Sequence, residues 1–461
     1  MHLPVLDPAT REVIGTVAAS DHIGVACAVA EARAAFETWS NVPVVERARL
    51  MFRFADALER RREELALLVA RENGKTLGDA RAEVRRGIEA VEFSCGMPSL
   101  IMGDALPDVA RGIDCTSARY PLGVCAGITP FNFPAMIPLW MAPIALAAGN
   151  AFVLKPSPQT PLTAELIHAT ATGCGFPAGL FRVVHGGAET VEALIDHPDV
   201  AAISFVGSSQ VARSVQARAV AAHKRVQALG GAKNYLVVMP DAVNETTVNA
   251  VVASAFGGAG QRCLAGSVVV TVGDAAQRFV PLLVEAARNL RLGHGIDAGV
   301  DMGPVVSDEA LARIGGYVER AHAAGALVVL EPKLAGERGA FLSPAIFDCV
   351  DPKSELAREE IFGPVLAIVR AESLDAAVAV ANSSRYGNAS SIFTRDGATA
   401  RAFAARIAVG MVGVNVGVAA PMAFFPFGGV KDSIFGDLRC HGKDAVAFYT
   451  QQRVVISRWP Q

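Results

Sequence analysis

The densest chemistry in the chain lies in seven residues, Gly257-Gly258-Ala259-Gly260-Gln261-Arg262-Cys263. A cysteine attacks as its thiolate, and a neighbouring cation or an electropositive backbone favours that form. Cys263 has Arg262 beside it and three glycines just before it. Glycine reaches turns closed to other residues and lets the backbone come close to a ligand. Backbone N–H groups beside a nucleophile can hold an oxyanion. A helix-compatible run, 249–256, precedes the stretch, and a β-branched run, 268–272, follows it. The pattern fits a catalytic Cys263. It also fits an inert cysteine buried at a helix-to-strand turn, where free cysteines are common.

Three further stretches carry groups suited to a nucleotide. Leu154-Lys155-Pro156-Ser157 ends one strand pattern in a proline turn. Phe205-Val206-Gly207-Ser208-Ser209 ends another and opens directly onto a helix. A helix N-terminus attracts phosphate through its free N–H groups and its dipole. Glu359-Glu360-Ile361-Phe362-Gly363-Pro364 sets carboxylates beside an aromatic at a strand entry, which could hold ribose hydroxyls or simply cap a loop. Neither common nucleotide motif is present. G-x-G-x-x-G is missing, and Gly74-Lys75-Thr76 lacks the glycine a P-loop needs, with Val69 in its place.

The elements that must position these groups follow an α/β pattern. The helical period appears at 21–40, 44–72 and 77–99. Extended character appears at 103–121. From residue 123 onward strands alternate with helices: 123–129, 151–156, 181–184, 201–206 and 235–239 are strands, and 138–148, 163–172, 189–196 and 209–222 are helices. Such alternation implies parallel sheets with right-handed crossovers, whose ligands bind beyond the carboxyl ends of the strands. A second unit starts at Asn244 and carries the Cys263 turn. It adds helices at 278–290, 309–324 and 375–381 and strands at 328–330, 365–369 and 411–415. The tail, 446–459, reads as extended and pairs in principle with 103–121.

Composition bounds the rest. The 461 residues are 52% apolar and 19% charged, with a net charge of −3, so a globular protein is expected and nucleic acid is not a partner. Eight cysteines show no C-x-x-C pair, and no secretory pattern opens the chain, which together imply reduced thiols and a cytoplasmic location. Nine scattered histidines form no H-E-x-x-H, and no metal is expected. Tyr120 to Leu154 contains no Asp, Glu, Lys or Arg, but prolines at 121, 130, 134, 138 and 143 break it. It reads as buried strand, loop, helix and strand rather than a membrane span.

Taken together, the motifs resemble the NAD(P)-dependent aldehyde dehydrogenase superfamily, and within it the CoA-acylating methylmalonate-semialdehyde dehydrogenases. The carriers are Ile128-Thr129-Pro130-Phe131-Asn132-Phe133-Pro134-Ala135-Met136, Lys155-Pro156-Ser157, Ser204-Phe205-Val206-Gly207-Ser208, Gly231-Ala232-Lys233-Asn234, Gly260-Gln261-Arg262-Cys263, Glu359 to Pro364 and Phe448-Tyr449-Thr450-Gln451-Gln452. The resemblance implies two doubly wound parallel-sheet domains plus a small β oligomerisation arm. The dinucleotide-binding domain would take 1–102 and 122–231, the catalytic domain 232–430, and the arm 103–121 with 431–461. A homodimer or homotetramer is implied. Cys263 would attack the aldehyde, with the Asn132 amide and the Cys263 N–H on the oxyanion. Lys155 would bind the adenine ribose, Ser208 the pyrophosphate and Glu360 the nicotinamide ribose, with Phe362 against the ring. Thr129, Pro130, Phe131, Ser157 and Gly207 complete the cofactor set.

Two features bear on the reaction. Hydrolytic members of the superfamily activate water with a glutamate in a Glu-Leu-Gly-Gly-Lys stretch. Aligned on Lys233, Leu229 stands in its place, and no Asp or Glu occurs between Asp199 and Asp241. Water needs a base, whereas a thiol with a pKa of about 8.5 is already a good nucleophile. Coenzyme A is therefore the expected acyl acceptor. The alternatives are an aldehyde dehydrogenase that deacylates by another route and a catalytically idle binding protein. Arg262 and Arg86, the latter in Arg-Gly-Ile-Glu, match the family's substrate-carboxylate arginines and could clamp a carboxylate. Malonate or methylmalonate semialdehyde fits, with loss of CO2 implied by the family. Pro158 replaces a family glutamate on the adenosine ribose, so NAD is expected with NADP possible.

Overall fold

The computed structural model describes residues 2–334 and 339–459. Two sheets dominate it. In the first, the order is Ile434–Phe435, Arg225–Leu229, Val200–Val206, Val124–Ile128, Ala151–Lys155 and Phe181–Val183. All its pairings are parallel except that of Ile434–Phe435 with Arg225–Leu229. In the second, the order is Leu327–Leu330, Ala345–Asp348, Val365–Ala371, Gly266–Val272, Asn234–Val238, Ala389–Phe393 and Met411–Val414. Its one antiparallel pairing is that of Leu327–Leu330. The central strands are buried along their whole length, as in Val124–Ile128, Ala151–Lys155 and Asn234–Val238. Helices on both faces of a parallel sheet produce that continuous burial. Each sheet anchors its own hydrophobic core.

The charge-free run folds as the sequence implied. It supplies two central strands and the helix Met136–Ala147, of which every residue after Met136 is buried. Among the described residues no helix is long and apolar enough to cross a membrane. The pattern over 44–72 is two helices, not one. Arg61 leaves helical geometry (φ −100°, ψ 12°), so Val44–Arg60 and Arg62–Asn73 each turn an apolar stripe into the same core. Among the strands that escaped the sequence reading are Arg225–Leu229, Ala345–Asp348, Ala389–Phe393 and the N-terminal pair His2–Leu6 and Val13–Ala18.

The arm is a three-stranded antiparallel sheet of Ala105–Ala110, Ile113–Pro121 and Thr450–Arg458. This corrects the expected 431–461 boundary. Ile434–Phe435 joins the edge of the first sheet, and Gly442–Phe448 is a helix whose Ala445, Val446 and Phe448 enter the core. The tail is therefore extended only from Thr450, because the apolar residues before it follow a helical rather than a two-residue period.

Candidate active site

Cys263 follows a left-handed kink. The helix Glu245–Phe256 ends at Gly257, and Gly258, Ala259 and Gly260 then take φ of 57°, 52° and 71°. Gly260 is obligatory. A Cβ there would lie 2.2 Å from the carbonyl oxygen of Gly363. The turn thus docks backbone to backbone on the loop that carries Glu360 and Phe362. Two side chains given no role in the sequence reading hold the Cys263 carbonyl. Asn234 and Asn388 each donate an amide N–H to Cys263 O at 2.9 Å. Gln261 Oε1 accepts from Val306 N at 3.1 Å and ties down the far side.

Arg262 favours the thiolate as its position implied, but only weakly. Its guanidinium donates to the carbonyls of Ala253 and Ser254, the latter at 3.0 Å. Burial, with the charge of Glu360 second, pushes the Cys263 thiol up to about 12, against the weaker pull of Arg262.

Cys263 stands where two cavities meet, and Asn132 is the one other residue common to both linings. The Asn132 Oδ1 is buried without a partner among the described residues. Its main-chain oxygen accepts from Lys75 Nζ at 2.7 Å, and Lys75 also pairs with buried Glu83 at 2.5 Å. Glu83 in turn accepts from Ala135 N at 2.8 Å. A buried ion pair thereby fixes the loop that presents the amide.

The smaller cavity, about 260 Å³, is lined by Arg86, Arg262, Trp140, Phe427 and His441 among others. Arg86 is half-buried, 3.2 Å from Glu89 Oε2, and donates to Ala420 O at 3.2 Å. The structure therefore brings both expected arginines to the cavity that holds the thiol. It also brings the loop 418–423, which closes one wall.

The larger cavity, about 760 Å³, lies at the carboxyl ends of the first sheet's strands. Pro130, Phe131, Gly207, Ser208, Glu360 and Phe362 line it. Phe131 and Phe362 meet edge to face at 5.8 Å. Ser208 caps the helix Ser209–Ala221, whose N-terminus faces the cleft. Thr129, Lys155 and Ser157 are buried behind it and do not form its lining. Lys155 Nζ donates to Pro156 O at 2.7 Å and Gly186 O at 3.0 Å, and burial lowers its pKa to about 8. Arg213, Arg313, Arg385 and Tyr386 line the cleft too and were not singled out from sequence. Arg313 donates to Ile361 O at 2.5 Å, holding the Phe362 loop in its left-handed conformation.

The segment 225–233 offers no carboxylate. Leu229 is buried, and its carbonyl accepts from Gly207 N at 3.1 Å. Glu360 is the carboxylate whose field reaches the thiol. It accepts from Ala232 N at 2.8 Å, and burial raises it to about 7 despite Lys233 close by. Among the described residues no cluster could hold a metal ion.

A chain with a thiol between an arginine-bearing cavity and a nucleotide-sized cleft has close relatives. The aldehyde dehydrogenase family model matches residues 1–455, and the chain belongs to that family. It is 49% identical over 460 residues to malonate-semialdehyde dehydrogenase 1 of Geobacillus kaustophilus, covering 99% of this chain and 94% of that one. Among solved structures, methylmalonate-semialdehyde dehydrogenase of Oceanimonas doudoroffii superposes with a TM-score of 0.98 at 43% identity, covering 100% of this chain and 96% of that one. A Sinorhizobium meliloti 1021 protein assigned as a methylmalonate-semialdehyde dehydrogenase, in complex with NAD, gives the same score and identity over 100% and 95%.

Proposed function

We propose that the chain oxidises a short carboxylated semialdehyde, malonate or methylmalonate semialdehyde, using NAD. The acyl group is held on Cys263 and passes to coenzyme A with loss of CO2. One observation carries the reading: a thiol and a neutral amide donor are the two residues shared by an arginine-lined pocket and a nucleotide-sized cleft.

The cleft fits a dinucleotide. Its helix N-terminus suits a pyrophosphate, Glu360 supplies an acceptor for ribose hydroxyls, and the Phe131–Phe362 pair presents an apolar wall. Pro158, in place of a carboxylate, leaves room for NADP. An oxidised nicotinamide would supply a positive ring that favours the thiolate and an acceptor for the hydride. The protein's own residues do the rest. Cys263 Sγ bonds to the aldehyde carbon while Asn132 and the Cys263 N–H take the developing oxyanion. Arg86 and Arg262 hold the substrate's carboxylate. The lack of a carboxylate in 225–233 supports CoA over water as acyl acceptor.

The arm supports self-association. Leu106, Val109, Val454, Val455 and Ile456 are exposed on a small sheet with open edges. Apolar edges of this kind mark pairing surfaces, which supports the reading of a homodimer or homotetramer.

The test is a cofactor-reduction time course with malonate semialdehyde, with and without CoA. The reading expects one stoichiometric burst without CoA and steady turnover with it. Equal steady turnover in both refutes the CoA step. For the arginines, Arg86→Leu and Arg262→Leu should each raise KM for the acid about tenfold or more, as for a lost charged hydrogen bond. An unchanged KM in both removes the clamp.

A further inference from the structure

The substrate-side cavity contains a polar side chain that the chemistry above does not use. His441 lines it, is 4% exposed, and has both ring nitrogens buried with no hydrogen-bond partner among the described residues. Its ring meets Trp140 edge to face at 4.3 Å and Phe427 at 5.6 Å. A buried polar group without a partner costs about 1–3 kcal/mol, and native structures hold few of them.

The backbone gives an independent sign. His441 adopts φ 71° and ψ 167°. That region is essentially confined to glycine, and a side chain held there costs about 1–3 kcal/mol. Such residues cluster at ligand-binding positions. The next residue, Gly442, occupies a milder left-handed conformation at φ 57°. An imidazole thus stands where glycine would be the relaxed choice, and it borders the cavity that contains Cys263.

The charges of the cavity show what it would bind. Lys75, Arg86 and Arg262 face Asp79, Glu83 and Glu89, and two of these bases already have acidic partners: Lys75 with Glu83 at 2.5 Å and Arg86 with Glu89 at 3.2 Å. An incoming carboxylate meets a balanced pocket, so an extra donor decides how firmly it is held. A neutral imidazole supplies one N–H without a new charge to compensate. Burial, reinforced by the charge of Arg86, takes His441 down to about 3 and keeps it neutral at physiological pH.

We propose that His441 determines aldehyde specificity: a ring N–H donates to the substrate's carboxylate beside Arg86 and sets the preference for a carboxylated over an uncharged aldehyde. The inference rests on the semialdehyde reading given above.

The experiment measures kcat/KM for malonate semialdehyde and for propanal, with saturating NAD and CoA, and compares their ratio between variants. His441→Phe keeps an aromatic and removes the donor. His441→Gly removes the donor in a backbone conformation glycine adopts freely, and it replaces the Phe variant if that one does not fold. His441→Asn restores a donor on a residue tolerant of positive φ. The expected result is a ratio about tenfold lower in the donor-free variant, through KM for the acid, and largely recovered in His441→Asn. A wild-type ratio in the donor-free variant overturns the proposal. So does an equal loss in His441→Asn, which would mark a packing role. If the wild-type enzyme shows no preference for the acid, the semialdehyde reading falls and takes this proposal with it. If that preference is present and survives the donor's removal, only the His441 assignment falls.

Discussion

The contact between the Cys263 turn and the Glu360 loop makes a sharp prediction for Gly260→Ala. The added Cβ would sit 2.2 Å from Gly363 O and 2.6 Å from its carbonyl carbon. That is more than 1 Å inside the ordinary separation of about 3.5 Å, and both atoms met are backbone, so one segment must move. The φ of 71° adds about 1–2 kcal/mol for an L-residue. Misplacing reacting groups by about 1 Å costs about a hundredfold in rate, or roughly 2.7 kcal/mol of barrier. Gly258→Ala is the control. Its φ is 57°, but the nearest atoms to its Cβ are 3.6 and 3.7 Å away, both on the Arg262 side chain. It bears the conformational cost without the clash. The assay is the single-turnover burst of cofactor reduction at saturating aldehyde, with Cys263 counted by alkylation. Gly260→Ala should slow the burst about a hundredfold, and Gly258→Ala should stay within about threefold of wild type. A wild-type burst in Gly260→Ala, or equal slowing in both, refutes the reasoning.

Four further outcomes are expected. Asn132→Ala should lower kcat about 100- to 1000-fold with little change in KM, the signature of a lost oxyanion donor; a selective rise in KM would assign it to ground-state binding instead. Glu360→Gln should speed iodoacetamide alkylation of Cys263 above pH 7, where Glu360 is ionised and its charge raises the thiol's pKa; an identical pH profile would show that the field does not reach the sulfur. Lys75→Met should cost about 3–5 kcal/mol in denaturant unfolding, because it strands Glu83 in the interior, and a loss below about 1 kcal/mol would contradict the buried pair. Ile456→Glu, on the exposed arm, should give a smaller species by light scattering, and an unchanged mass would clear the arm of a role in assembly.

Much of this arrangement could be read in the sequence where residue type and chemistry coincide. Cys263, Asn132 and Glu360 carry distinctive groups inside long motifs. The parallel strands at 124–128, 151–155 and 234–238 announce themselves as continuous apolar runs. Ala389–Phe393 did not, because Ser390 and Ser391 interrupt the apolar pattern in mid-sheet. Their burial is made tolerable by contacts only the fold supplies, such as Ser390 Oγ donating to Tyr235 O at 2.6 Å. Asn234 and Asn388 were equally silent, since an amide that holds a backbone carbonyl carries no sequence signature of its partner. His441 lay just before the tail that read as extended, in a segment given no element of its own. Arg262 acts more weakly than its position implied for a related reason: adjacency in sequence says nothing about where a long side chain ends, and here it ends on two carbonyls of the preceding helix.

The two chambers have only Asn132 and Cys263 in common. That partition makes the enzyme modular. Residues lining the smaller cavity can drift without disturbing those lining the larger one, provided the amide and the sulfur stay put. Redesign for a new acyl chain should therefore begin at Trp140, Phe427 and the loop 418–423 and leave the nucleotide side untouched.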